Sequence, residues 1–273
     1  MKFISPGGWF SIEYPKNWHE FEDSEESFLF YNPDSWTGNF RISAYRGEKD
    51  YGKQCVAYEL EENKTAVAVR IGNWDCAYSA ETFQENGEWY TMFLWITGKD
   101  DIAFECSFTV AKGGERTAAE EIIRSLQVRN ASEHKQAEII PIRVMEIGEV
   151  NMAYEWASTT VKKTLTKDFT AQEADIEKMQ QLIDGGKIQL NQRAAWENIG
   201  LAFGAILVNE MDGMDWVTVV EGTKEYPALQ FKDSSLLINP AALAWDEVKQ
   251  HKALNLRKVY DAIKEKVEDV LNR

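Results

Sequence analysis

From Ile199 to Val208 the chain reads Ile-Gly-Leu-Ala-Phe-Gly-Ala-Ile-Leu-Val. It is apolar on every side, which a helix tolerates only where neighbours cover it. A core helix is therefore predicted, with Trp196, Ile199, Phe203 and Ile206 as one stripe at helical spacing. Gly200 and Gly204 leave a bare groove on it for a second backbone, at about 1 kcal/mol each in lost helix propensity. The run of 10 apolar residues is half of the roughly 20 needed to cross a bilayer, so the small-xxx-small pair does not indicate a membrane dimer. Asp212-Gly-Met-Asp215 follows as turn chemistry, and Trp216–Val220 is aromatic and β-branched, as a strand should be. Two short strands are expected near Tyr226–Phe231 and Ser235–Ile238. Asn239-Pro240 then starts a helix, as N-cap and first helical residue.

Period-two alternation dominates the first half. Phe10, Ile12 and Tyr14 share a strand face, and Pro15-Lys-Asn-Trp18 turns the chain. Glu20 to Glu26 holds five acids and reads as a solvated loop. Ser27–Tyr31 and Asn39–Tyr45 read as a hairpin around the turn-rich Asn32–Gly38, and Asp50–Glu62 as a helix. Four strands are predicted next, near Ala66–Ile71, Trp74–Thr82, Glu88–Thr97 and Ile102–Val110. In the last, Ile102, Phe104, Cys106, Phe108 and Val110 face one way, as in an antiparallel sheet covered on one side. Glu115–Leu126 is then a helix with Ala118, Ala119, Ile122, Ile123 and Leu126 on its apolar stripe.

This order, together with Phe10-Ser-Ile-Glu-Tyr-Pro-Lys-Asn-Trp18, resembles the PsbP/Mog family of α/β/α sandwiches over about residues 1–128. The matching residues are structural. The resemblance implies a binding protein rather than an enzyme, since the family includes a photosystem II extrinsic subunit and a Ran-binding import factor. No functional residue is carried over. The second half, with Trp196–Gly204, Asp215-Trp-Val and Asn239-Pro, is similar to an uncharacterised bacterial domain found next to such domains in Bacteroides-like proteins. That likeness implies no activity.

Gln127–Pro141 lacks periodicity and reads as the boundary between a domain at 1–128 and one at 142–273. In the second domain helices are expected at Met145–Leu165 and Thr170–Asp184. Thr170-Ala-Gln-Glu173 has capping-box spacing before the latter, and Gly185-Gly186 closes it. Ala241–Asn272 carries Leu256, Val259, Ile263, Val267 and Val270 at helical spacing. Unbroken it would reach about 48 Å, so a kink near His251–Asn255 or an overhang is expected. The fold class is α+β: an antiparallel sheet flanked by helices, then a mostly helical domain with a small antiparallel sheet.

Charge narrows the partners. Asp and Glu number 45 against 30 Lys and Arg, a net charge of −15 spread over both halves. Such a field repels phosphate backbones and anionic lipid, so neither nucleic acid nor membrane is an expected partner. Cys55, Cys76 and Cys106 are odd in number and lack CxxC spacing, which predicts reduced thiols. The first residues carry no secretory apolar run, and the compartment expected is the cytoplasm.

Catalytic motifs are missing. His19, His134 and His251 are scattered over a loop, a linker and a helix. There is no His-x-x-x-His, paired Cys, calcium loop or phosphate loop, so no metal or cofactor is implied. Asp100-Asp101, Asp212 and Asp215 read as turn residues. Adjacent acids such as Glu61-Glu62 point apart and suit a solvated surface rather than glycosidase chemistry.

Of 10 tryptophans, Trp74, Trp89, Trp95, Trp196 and Trp216 fall inside predicted elements and should pack there. Trp36 lies in a loop near the acids Glu20, Glu22, Asp23, Glu25 and Glu26, and those six residues form the candidate partner-binding face. The sequence reads as a non-enzymatic cytosolic bacterial interaction protein, an adaptor or immunity-like module for a partner with a basic surface. A homodimer through the C-terminal helix is a further expectation. The alternative is an enzyme or small-ligand carrier with an interdomain site.

Overall fold

The computed structural model describes residues 1–24, 27–130 and 136–272. It divides into two compact units, Met1–Gln136 and Ala137–Arg273.

The first unit runs β1 (Lys2–Ile4), a 3-10 turn (Pro6–Gly8), β2 (Phe10–Glu13), β3 (His19–Ser24), β4 (Ser27–Tyr31) and β5 (Asn39–Arg46). There follow α1 (Tyr51–Glu62), β6 (Val67–Ile71), β7 (Trp74–Glu85), β8 (Glu88–Lys99), β9 (Ile102–Ala111), α2 (Thr117–Ser125) and β10 (Gln127–Val128). Seven strands form one antiparallel sheet in the order β3-β4-β5-β9-β8-β7-β6, and β1-β2-β10 form a second. Register sorts the large sheet into two faces. Phe30, Phe40, Phe108 and Phe93 stand opposite one another across β4, β5, β9 and β8. That row belongs to the core face, sealed by Phe3, Phe10 and Ile12 of the small sheet and by Ile122 and Ile123 of α2. Cys106 is on this face, fully buried.

The alternation seen in the sequence thus decides which face is inside. The next row, Leu29, Arg41, Ser107 and Leu94, belongs to the other face. α1 packs on that second face at one end.

Two expectations in this unit fail. The acidic segment expected as a loop is strand from His19 to Ser24. It is the sheet's edge, where charges are tolerated and block pairing with other chains. Trp89 is 48% exposed instead of packed. The β7–β8 hairpin outruns β9, since Tyr90–Ala111 is the last β8–β9 pair and Gln84–Trp89 lies beyond it. Lys112 Nζ covers the Trp89 ring at 4.9 Å.

The second unit runs β11 (Glu138–Pro141), α3 (Val144–Leu165), α4 (Asp175–Asp184), α5 (Arg193–Glu210), β12 (Met214–Glu221), β13 (Lys224–Phe231), β14 (Leu237–Ile238), α6 (Pro240–His251) and α7 (Leu256–Leu271). Its sheet is β11-β12-β13-β14. α5 is the core helix: Trp196, Ile199, Ala202, Phe203 and Ile206 are buried among residues of every other helix. The glycine groove holds α6. A Cβ on Gly200 would stand 2.1 Å from the Pro240 carbonyl oxygen, and one on Gly204 2.6 Å from the Trp216 ring. Asn239 caps α6 by accepting from the Ala242 N–H at 2.9 Å.

The terminal helix breaks where its length required. Lys252 takes a left-handed φ of 54°, and Asn255 caps α7 by accepting from the Lys258 N–H. Leu256, Tyr260, Ile263 and Val267 of α7 are buried in the unit's own core.

The capping box at Thr170 does not form. α4 starts at Asp175, whose carboxylate accepts from the backbone N–H groups of Thr170 at 2.7 Å and Gln172 at 3.2 Å. Glu173 is instead paired with Arg257 at 2.6 Å. A carboxylate that serves several donors at once outcompetes a threonine hydroxyl serving one. The segment between the units is also less irregular than expected, because its ends supply β10 to β2 and β11 to β12.

Candidate functional site

Of the six predicted site residues, the structure places Glu20 and Trp36 on different faces of the sheet. Glu20 pairs in register with Phe30, on the core side of the edge strand. The Tyr14 hydroxyl is pushed up to about 12, first by burial and then by the charge of Glu20. Glu22 and Asp23 lie in β3, while Glu25 and Glu26 lie outside the described residues. Trp36, in the β4–β5 loop, is 44% exposed and meets Tyr90 edge-on at 6.0 Å. Tyr90 is opposite Phe83 on the second face, whereas Thr91 next to it is opposite the buried Val110. Glu20 and Trp36 therefore serve different faces.

That second face carries most of the partly exposed apolar surface of the sheet. Along β8 the residues Ile96, Leu94, Met92 and Tyr90 alternate onto it, a stripe about 20 Å long at 3.3 Å per residue. All four are only partly covered. Phe83 stacks on Tyr90 at 5.8 Å, and at the other edge Phe21 stacks on Tyr31 at 4.1 Å. Glu81, Glu85, Glu88 and Glu105 share the register of this face. Among them stands Arg41, which donates to the Ser27 hydroxyl at 3.1 Å.

One end of the stripe runs under α1. Gly52 is the single fully buried residue of that helix, and a Cβ there would stand 2.4 Å from the Ile102 carbonyl oxygen and the Lys99 nitrogen. Gly98 presents the matching bare surface, so the first turn of α1 is pressed onto the sheet. Beyond it a cleft of about 460 Å³ opens, lined by Tyr45, Tyr51, Cys55, Tyr58, Ile96 and Glu105. Tyrosine faces with carboxylates nearby attract cations, through the ring quadrupole and through charge.

The remaining chemistry is sparse. His19 is an exposed strand residue, and His251 Nε2 lies 3.9 Å from Glu247 at the end of α6. His134 lies outside the described residues. All three cysteines are free thiols. Among the described residues no three or more His, Cys, Asp or Glu side chains are grouped to hold a metal, and no helix is long and apolar enough to cross a membrane.

One sequence signal for this face exists. Trp89 to Ile96 is almost unbroken apolar, a pattern that marks a strand apolar on both sides. Here α1 covers one end of the second side.

The chain thus consists of two compact α+β units, each built on its own antiparallel sheets. The chain belongs to the family of the domain of unknown function DUF3805, which matches residues 1–151, and residues 175–260 match a second, DUF3806. A crystal structure from Bacteroides thetaiotaomicron VPI-5482 is 52% identical, covers 96% of this chain and 97% of that one, and superposes with a TM-score of 0.93. Over the first half there are PsbP-like neighbours. Cyanobacterial PsbP from Synechocystis is 12% identical over 47% of this chain and 92% of that one, with a TM-score of 0.26. LpqN of Mycobacterium tuberculosis, involved in cell envelope biogenesis, is 14% identical over 44% and 82%, with a TM-score of 0.30. No curated protein matches the sequence.

Proposed function

We propose that this protein is a non-enzymatic binding module of adaptor type, and that the open face of its seven-stranded sheet receives a basic, amphipathic protein segment. The observation that carries the reading is the β8 stripe, running from the α1 cleft at Ile96 through Leu94 and Met92 to Tyr90 and the exposed Trp36. Apolar area of this kind gives a partner about 25 cal/mol for each Å² it covers. The acids around it select the partner's sign. With a chain charge of −15, basic partners are steered inward and acidic ones repelled. The reading keeps Trp36 and replaces the acids of the 20–26 segment by Glu81, Glu88 and Glu105.

A quantitative pull-down from the source lysate at low salt tests it. Four baits are compared: wild type, Trp36→Ala, Glu81→Gln/Glu105→Gln, and a variant with Glu20, Glu22, Asp23, Glu25 and Glu26 neutralised. The reading expects basic proteins on the wild type, released as salt screens the attraction within about 10 Å at 0.1 M. Recovery should fall with the first two variants and persist with the third. If the third alone loses the partner, the edge segment is the binding face. If all four recover the same proteins, or none, the proposal is refuted.

A further inference from the structure

The second unit contains a cleft of about 740 Å³ bordered by α3, the start of α5, the β12–β13 turn and the start of α6. Its existence follows from the packing of α6 on α5. The Pro240 backbone seats on Gly200, which brings the first turns of α6 beside those of α5. Four of these elements each supply a carboxylate to the lining: Glu149, Glu197, Glu225 and Asp246. Tyr226 and Trp245 line it as well.

Positive charge is short there. Arg193 is committed to Glu197, Nε to Oε1 at 2.8 Å, leaving Lys224 as the other basic lining residue. Among the described residues the side chains of Glu149 and Asp246 take part in no hydrogen bond or ion pair. Glu225 is held from behind: its Oε2 accepts from Nη2 of the buried Arg143 at 3.0 Å, and Arg143 in turn pairs with buried Glu146. The other oxygen of Glu225, Oε1, is buried with no partner. A carboxylate oxygen closed off from solvent and left without a donor is a costly arrangement. The Glu149 carboxyl is raised above its usual range, chiefly by withdrawal from water, then by the charge of Glu146, with Arg143 opposing and Glu197 adding.

We propose that this cleft is a small-molecule site for an organic cation with two or more N–H donors on an alkyl or aryl body, such as a diamine or an alkylguanidine. The carboxylates sit on separate walls and are not grouped closely enough for a metal ion, so an extended ligand with separated charges fits them better than a point charge. Tyr226 and Trp245 supply aromatic surface for its body and its charge.

Isothermal titration calorimetry of the full chain tests it, with agmatine and 1,5-diaminopentane as probes and 1,5-pentanediol as the uncharged control. The expected result is saturable one-site binding of at least one cation, none of the diol, and at least tenfold weaker binding to Glu149→Gln/Asp246→Asn and to Trp245→Ala. Trp36→Ala should bind as wild type does. Circular dichroism and the thermal midpoint of each variant identify any that fails to fold, and Glu149→Gln alone then replaces it. Absence of heat with both cations, equal affinity for the diol, or unchanged affinity in the charge variants would overturn the proposal.

Discussion

Gly200→Ala should destabilise the second unit although alanine is the better helix former. In an open helix the exchange gains about 1 kcal/mol. At position 200 the new Cβ would stand 2.1 Å from the Pro240 carbonyl oxygen, 2.7 Å from its carbon and 2.8 Å from Ala241 Cα. All three are backbone atoms of α6, so no side chain can swing away. Comfortable contact begins near 3.5 Å, so α6 would have to retreat by about 1 Å. Overpacking of that kind costs up to about 3 kcal/mol. After the propensity gain the net loss is about 2 kcal/mol. For a unit of this size it lowers the melting temperature by roughly 6–10 °C. Differential scanning calorimetry of the full chain reads it. Gly148→Ala is the matched control, because it lies inside α3 with nothing within 4 Å of the added Cβ, and it should raise the midpoint. Equal gains at both positions would mean that the groove on α5 is not a fitted contact and that the packing argument is wrong.

Arg143→Met leaves Glu146, itself buried, without its cation and should cost about 3–5 kcal/mol, most of it recovered when Glu146→Gln is added; urea titration of both variants measures the difference. Burial acts to raise the Asp175 carboxyl, but hydrogen bonds from Lys178 and from the Thr170 and Gln172 N–H groups outweigh it and hold the pKa below the usual range. The stability it contributes is therefore present above the ordinary aspartate pKa near 4 and lost as pH falls through the lower folded value. Asp175→Asn should lower stability by about 2 kcal/mol at pH 7, with the gap to wild type closing in acid; a gap independent of pH would remove the charge from the explanation. Thiol labelling of native protein should modify Cys55 first and leave Cys106 untouched until unfolding, since burial pushes the Cys106 thiol well up; fast labelling at Cys106 would misplace the core face of β9.

Elements whose local pattern and tertiary role agree were legible in the sequence. Ile102 to Val110 alternates because one face of β9 is core, and Asn239-Pro240 starts a helix because cap chemistry depends on neighbours three residues away. Gly200 and Gly204 could be read as a groove because removing two side chains from an apolar helix makes room for something close. What failed depended on partners outside the segment itself. The acids from Glu20 to Asp23 look like a loop until the neighbouring β4 supplies a strand to pair with. Thr170-Ala-Gln-Glu173 looks like a capping box until Arg257, far along the chain, takes Glu173.

The candidate site divides along the same line. Trp36 stood out because loops that join an aromatic to nearby charge are what interfaces use, and the structure leaves it exposed beside Tyr90. Its acidic neighbours in sequence were assigned to it by proximity along the chain. In a sheet proximity is set by register and by the face a side chain takes, so a residue far along the chain can be nearer than one a few positions away. Tyr90 thus reaches Trp36 through β8, while Glu20 is carried to the opposite side by its pairing with Phe30. The unbroken apolar run of β8 was the available clue. A strand apolar on both faces in an antiparallel sheet needs a cover for each, and α1 reaches only the Ile96 end. The remainder of that face, partly covered and edged with glutamates, is the surface on which the proposed binding rests.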